Sequence, residues 1–191
     1  MTSMNRPLFG LLIGGLMFTG SAYAVDPLDQ LMEESRAAVR DFAGALMAEV
    51  NRAAEAGGPL NVITVCNQVA PGLGAKYSQQ HQMSIERTAL KFRSPANIPD
   101  AWERSVMLSF LERSQNEPLQ GMEHGEIRVE EGRTVFRYMM AIPTAQQCLA
   151  CHGTEIPAPI TRKLDRIYPT DTARGFQAGE MRGAFTIRRE L

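Results

Sequence analysis

The sequence carries one motif with recognisable chemistry, in which Cys148, Cys151 and His152 follow one another in the C-x-x-C-H spacing. This spacing is that of the segment to which a c-type haem is attached. On a helical turn the three residues stand at positions i, i+3 and i+4, so both sulfurs and the imidazole share one face. The two thiols can then form thioether bonds to the haem vinyl groups while the imidazole reaches the iron. The motif therefore predicts one covalently attached haem c, with His152 as an iron ligand.

Three other uses of these cysteines are less consistent with the sequence. A thioredoxin-like dithiol requires a β-α-β context with the first cysteine at a helix N-terminus, whereas this motif follows a predicted hairpin strand. A zinc site that adds Cys66 has enough ligands, but the adjacent Cys151 and His152 are poorly spaced for one tetrahedron. A disulfide between Cys148 and Cys151 would be strained and would leave Cys66 unpaired. Haem attachment is therefore the preferred interpretation.

The remaining cysteine, Cys66, has two interpretations that the spacing leaves open. It is either a buried apolar thiol, because free cysteine is among the most buried residue types, or the sixth ligand of the iron, because a soft thiolate suits ferric iron. Of the other candidate ligands, three methionines are expected in the core and two histidines at the surface: Met83, Met139, Met140, His81 and His124.

The first 24 residues have the pattern of a secretory signal peptide. Arg6 is their only charge, an apolar run extends from Pro7 to Phe18, and residues 22–24 match an A-x-A cleavage site. The apolar run is shorter than the roughly 20 residues that cross a bilayer, and no later stretch comes near that length. We therefore expect cleavage after Ala24 and a periplasmic protein with no membrane association. Such an export agrees with haem attachment outside the cytoplasm.

Residues 25–191 are expected to form a single domain. Of the 191 residues, 44% are hydrophobic and 21% charged, which is enough for a packed core without a disulfide framework. The chain has 20 Lys and Arg against 21 Asp and Glu, for a net charge of -1. This balance argues against a strongly basic nucleic-acid-binding surface, so no nucleic-acid partner is expected.

The apolar pattern predicts helices first and then an antiparallel sheet. Asp26 and Pro27 are typical of a helix start, and apolar residues at helical spacing continue to a stop at Gly57 and Gly58, which predicts a long helix over 27–56. The elements expected after it are a helical segment over 61–68, a turn or helix from Pro71, a strand-like stretch over 83–92, a helix over about 100–114 with a capping box at Asp100 and Glu103, strands over 126–130 and 134–142 with a turn at Glu131 and Gly132, a loop over 153–159 and a closing strand over 183–189. This order is typical of an α+β fold. The long helix either overhangs the sheet or packs on a second copy of the chain, so a homodimer stays open.

An ordered series of residues extends over nearly all of the chain that follows the signal peptide. Its members are Val65-Cys66, Ala70-Pro71, the run Arg87 to Pro95 with Asn97, Pro99-Asp100, Trp102-Glu103, Arg137 to Met139, Cys148 to Gly153, Tyr168-Pro169, Asp171, Gly175, Gly179 and Arg182 to Ala184. The series resembles a family of exported or membrane-tethered bacterial haem domains with a PAS-like fold, long described as a domain of unknown function and also found as the sensor part of signalling proteins. One departure is Ser94-Pro95, where the family often has Asn-Pro.

The resemblance implies a PAS-like central antiparallel sheet flanked by helices, with the haem held against it. It also implies that Cys66 ligates the iron opposite His152. Three basic residues, Arg87, Lys91 and Arg93, are either partners of the haem propionates or part of a solvated strand face.

Two functions follow as hypotheses. The first is a periplasmic mono-haem c-type cytochrome that senses redox state or a diatomic gas through His152 and Cys66: a thiolate favours ferric iron, so reduction weakens its bond and opens the iron. The alternative is a periplasmic electron-transfer cytochrome in which both ligands stay bound. An enzyme such as a peroxidase ranks last, because no distal acid-base residue is recognisable. Either leading role requires a separate periplasmic redox or signalling protein as partner.

Overall fold

The computed structural model describes residues 26–191, in which five α-helices accompany one four-stranded antiparallel sheet. The helices are α1 Pro27–Gln68, α2 Ala70–His81, α3 Ala101–Arg113, α4 Leu149–His152 and α5 Ala158–Ile167, and the strands are β1 Ser84–Thr88, β2 Glu123–Glu130, β3 Arg133–Pro143 and β4 Met181–Glu190. The predicted α+β class is thereby confirmed. The predicted signal peptide lies outside the described residues. No helix within residues 26–191 combines the length and apolarity needed to cross a membrane.

The sheet has the strand order β1-β4-β3-β2, and every neighbouring pair is antiparallel. The predicted hairpin joins β2 to β3, with both turn residues, Glu131 and Gly132, at positive φ. Two consecutive residues at positive φ match the twist of the flanking strands, which is why such turns are common in hairpins. The final strand, β4, is central and lies between β1 and β3.

The long first helix is broken where the sequence predicted its end. Gly58 has a φ of 67°, a left-handed conformation that glycine adopts without steric cost, and Pro59 follows it. Proline is well tolerated in the first turn of a helix, so a new helical segment over 59–68 begins there and carries Cys66. A kink therefore separates the segment that holds this cysteine from the helix over 27–56.

Three apolar clusters position these elements. The long part of α1 packs on one face of the sheet through residues that include Leu31, Val39, Phe42, Phe136, Tyr138 and Ile187. The helix α3 packs with β3 and β4 through Val106, Met107, Phe110, Met139 and Ala184. A third cluster joins the 59–68 segment to α5 through Ile63, Ile160, Leu164 and Tyr168, and Cys151 packs against it.

Two predicted boundaries were wrong. The strand-like stretch over 83–92 is a strand only to Thr88, because the next amide, that of Ala89, donates to the carbonyl of Asn97 (3.0 Å) instead of to β4. The loop predicted over 153–159 ends at α5, a helix that the sequence pattern did not predict. Pro157 and Pro159 suggest a loop, yet prolines around the first helical turn are compatible with a helix start.

A carboxylate between α1 and the sheet supplies a stability prediction. Arg36 Nη2 lies 2.6 Å from Glu123 Oε1, and the Tyr138 hydroxyl donates to Oε2 at 2.7 Å. Burial opposes ionisation, but these hydrogen bonds outweigh it and place the pKa of Glu123 below its usual value. We expect Glu123→Gln to lower the free energy of unfolding by about 1–3 kcal/mol at neutral pH, measured by urea unfolding.

The pH dependence of this effect has a defined sign. Because the folded state lowers the pKa of Glu123, its contribution is complete above the unfolded-state pKa and is lost as the pH falls through the folded-state value. The difference between wild type and Glu123→Gln should therefore shrink in acid. Glu117→Gln is the control, since Glu117 pairs with Arg113 at the surface and such pairs contribute little. Equal effects of the two substitutions would contradict the assignment.

Candidate functional site

One cavity brings together all four site residues that the sequence predicted: Cys66, Cys148, Cys151 and His152. We call it the cysteine cavity. Its wall is largely apolar and includes Leu46, Met47, Val50, Val62, Ile63, Ile142, Leu164 and Phe185. The 59–68 segment, α4, α5 and the ends of β1, β3 and β4 all contribute to it, so residues far apart in sequence meet there.

The attachment motif forms a short helical turn. A 3-10 turn over Gln146–Cys148 leads directly into α4, which contains Cys151 and His152. The next residue, Gly153, has no room for a side chain, because an added Cβ would lie 2.7 Å from the carbonyl oxygen of Leu149. The chain can therefore turn tightly after His152 only with glycine at this position.

The imidazole of His152 is held by the loop over 171–176. Its Nδ1 lies 2.8 Å from the carbonyl oxygen of Ala173, and because a carbonyl only accepts, Nδ1 carries the proton and donates it. The Phe176 ring packs edge-on against the imidazole, with 6.3 Å between the ring centres. The Phe176 amide donates to the His152 carbonyl (3.0 Å). This tautomer leaves Nε2 unprotonated, as a metal-ligating histidine requires, and Arg93 Nη1 lies 3.4 Å from it.

The surroundings of His152 keep the imidazole neutral. Burial, together with the positive charges of Arg182 and Arg93, lowers the pKa of His152 to about 3. Arg182 Nε lies 3.1 Å from Nδ1 and 3.5 Å from Nε2, so its charge opposes a second proton on the ring. The unprotonated nitrogen is the form that binds a metal ion.

Arg93 ties the motif to the same loop. Its Nη2 donates to the carbonyls of Cys151 (2.6 Å) and Ala173 (3.2 Å), and its Nε lies 3.3 Å from Asp171 Oδ1. Asp171 is almost fully buried and also accepts from Arg174 Nε at 2.9 Å. Although burial opposes ionisation, these cations place the pKa of Asp171 below its usual value. The ion pairs therefore fix the loop that orients His152.

Cys66 reaches the cavity from the 59–68 segment. Lys163 on α5 stabilises the position of this segment by donating to the Leu60 carbonyl and to Thr64 Oγ1, both at 2.8 Å. Burial raises the pKa of the Cys66 thiol, and the nearby charge of Arg87 partly opposes that shift. The cysteine is half-buried.

The cavity carries more positive than negative charge. Arg87, Arg93 and Arg182 line it. Of these three, only Arg93 has a carboxylate of residues 26–191 within 4.0 Å, that of Asp171. Burial lowers the pKa of Arg87. Burial and the charges of the other two arginines lower the pKa of Arg182 to about 10, so Arg182 stays charged at neutral pH. Such an arrangement favours an anionic group in or beside the cavity.

Two basic residues differ from the sequence interpretation. Lys91, grouped there with Arg87 and Arg93, does not line the cavity; its Nζ donates to the Arg174 carbonyl and lies 4.5 Å from the centre of the Phe176 ring. Arg182 was given no role, although it belongs to the series that carries the family resemblance. Its place in the Arg182 to Ala184 run of that series was the available signal.

The alternative ligands that the sequence suggested lie elsewhere, although the thioether of Met47 does line the cavity. None of the three methionines lines the cavity: Met83 and Met139 are in the core and Met140 packs against it. His124 is exposed as predicted, but His81 is half-buried by stacking on Tyr77. Within residues 26–191 no three His, Cys, Asp or Glu side chains are grouped to hold a metal ion by themselves, so the geometry gives the zinc interpretation no support.

The fold has a solved counterpart. A structure described as the crystal structure of the cyanobacterial heme-protein Tll0287 aligns with a TM-score of 0.62 and 19% sequence identity, over 87% of this chain and 98% of that one. At this identity the likeness concerns the fold. No curated protein matches the sequence. The model of the Tll0287-like family matches residues 23–189, nearly the whole length. This match confirms the resemblance seen in the sequence motifs, and the chain belongs to the Tll0287-like family.

Proposed function

We propose that this protein is a mono-haem c-type cytochrome of the periplasm that senses redox state or a diatomic gas. The observation that carries the proposal is the convergence of Cys148, Cys151 and His152 on one cavity, with His152 Nδ1 bonded to the Ala173 carbonyl and Nε2 unprotonated. The structural relative is described as a heme-protein, which supports the same cofactor here.

The residues of the cysteine cavity fit haem in three respects. Its apolar wall suits a porphyrin face, and the motif supplies two thiols for thioether bonds together with a neutral imidazole. Arg87 and Arg182, which have no carboxylate partner within residues 26–191, supply positive charge for the propionates. Bound haem would provide a one-electron ferric/ferrous couple and axial positions for ligands.

The sensing role depends on Cys66 as the second axial ligand. An anionic sulfur stabilises ferric iron more than ferrous iron, so Cys66 should bind more weakly after reduction. The 59–68 segment that carries it is set apart from the rest of α1 by the break at Gly58. Release of Cys66 would therefore act on a short segment that packs on α5 and leads into α2, and could pass a ligand change to the rest of the fold.

The location and partners follow from the same chemistry. Haem attachment to two thiols is completed outside the bacterial cytoplasm, which agrees with export and signal cleavage after Ala24. We propose no enzymatic role, because two protein ligands leave no coordination position for a substrate in the resting state. A separate periplasmic redox or signalling protein is the expected partner, and a homodimer through α1 stays a hypothesis.

Mass spectrometry tests haem attachment. Protein produced in the periplasm together with the cytochrome c maturation machinery should carry the mass of one haem. Cys148→Ala and Cys151→Ala should each remove one thioether bond and reduce the haem that survives denaturation. Cys66→Ala is the matched control, since it removes the third cysteine of the same cavity and should leave the added mass unchanged. A wild-type protein of unmodified mass would overturn the haem proposal.

A further inference from the structure

A second cavity lies directly beside the cysteine cavity. It is bounded by α2, β1 and the turn over 94–97, and it shares four wall residues with the cysteine cavity: Cys66, Arg87, Asn97 and Tyr168. Nothing in the proposed attachment of haem uses this space. Cys66 is thus a common wall between the two cavities.

The second cavity exists because α2 presents small side chains to it. Ala70, Gly74 and Ala75 line it, and a Cβ added to Gly74 would lie 3.5 Å from the Ile85 carbonyl oxygen, which is an ordinary contact. The Ile85 amide donates to Ser78 Oγ at 2.9 Å, and this hydrogen bond holds α2 against β1 at the second cavity. A longer side chain at position 74 or 75 would therefore fill the space rather than displace α2.

We propose that the second cavity is the path by which a small uncharged diatomic ligand reaches the iron. This inference rests on the proposed function. With His152 on one side of the haem, an external ligand has to take the position of Cys66. Haem itself would occupy the cysteine cavity. The second cavity also has Cys66 in its wall, so it offers an open route to the position of this side chain.

The wall between the two cavities has two different parts. Hydrogen bonds hold the part around Asn97, whereas Cys66 belongs to the short 59–68 segment. The carbonyl of Asn97 accepts from the Ala89 amide (3.0 Å), and the Asn97 side chain donates to the Arg87 carbonyl, which holds the turn against β1. Cys66 instead belongs to the 59–68 segment. Displacement of the Cys66 side chain therefore opens the way between the cavities, while the Asn97 side stays in place.

Carbon monoxide is the probe for this path. Its association with the ferrous holoprotein should be slowed about tenfold by Gly74→Leu, measured by flash photolysis, because a path block slows entrance and exit alike. The equilibrium affinity should change much less than the two rates. Gly72→Leu is the matched control on the same helix: Gly72 lines neither cavity, and an added Cβ there meets nothing within 4 Å. Equal association rates in the two variants would overturn the path.

Two further arms separate this inference from the proposed function. Ala75→Leu fills the same cavity from an exposed position and replaces Gly74→Leu if that protein fails to take up haem. If ferrous wild type binds no carbon monoxide, the sensor function fails, but the comparison of Gly74→Leu with Gly72→Leu is then made in a Cys66→Ala background. Slower association with Gly74→Leu in that background supports the path, and equal rates overturn it.

Discussion

Replacing Cys66 with alanine is expected to raise the reduction potential of the holoprotein by on the order of 100 mV, because axial ligands set haem potentials over a wide range. A thiolate neutralises part of the charge on ferric iron, whereas water or a neutral side chain does not. The same substitution should remove the thiolate features of the ferric absorption spectrum. Optical spectra and a potentiometric titration of the purified protein measure both effects.

The control for this prediction is Val65→Ala. Val65 is the neighbour of Cys66 on the same helical segment but lines neither cavity, so the spectrum and the potential should stay near those of wild type. A Cys66→Ala protein with an unchanged ferric spectrum would show that Cys66 is a buried thiol and that another group occupies the axial position. The attachment of haem to Cys148 and Cys151 would be unaffected by that outcome.

The elements that the sequence predicted well are those fixed by local interactions. The capping box at α3 is present in both directions: the Glu103 amide donates to Asp100 Oδ1 (2.7 Å), and the Asp100 amide donates to Glu103 Oε2 (3.0 Å). The break at Gly58 and the hairpin turn at Gly132 likewise depend on residues next to each other in the chain. The missed helix α5 shows the limit of this reasoning, because its stability comes from Leu164 and its neighbours packing on the 59–68 segment.

The site divides in the same way. Cys148, Cys151 and His152 were predicted because one helical turn relates them, and Cys66 was assigned only through the family resemblance. The group that orients the imidazole is a main-chain carbonyl, that of Ala173, and no residue type signals which carbonyl a histidine will meet. Arg182 approaches the same ring from β4. The two residues are far apart in sequence and meet only in the folded protein. Lys91, close to Arg93 in sequence, turns instead toward Phe176.

Ferrous wild-type protein is expected to bind carbon monoxide, with lower affinity than ferrous Cys66→Ala. In the variant no thiol competes for the position. In wild type, carbon monoxide binds only those molecules in which Cys66 has dissociated from the iron. The apparent dissociation constant rises as that fraction falls, so the ratio of the two constants reports how far reduction releases Cys66. Equilibrium titration followed by absorbance supplies both constants.

The comparison decides between the two functions because the variant shows what an open iron would do. A wild type that reaches the same final spectrum as Cys66→Ala, at a higher carbon monoxide concentration, has a ligand that leaves on reduction, as a sensor requires. A wild type that stays unliganded where Cys66→Ala saturates keeps both protein ligands in both oxidation states. That outcome would replace the sensor with an electron-transfer cytochrome, since a carrier changes charge most rapidly when its ligands and the 59–68 segment stay in place.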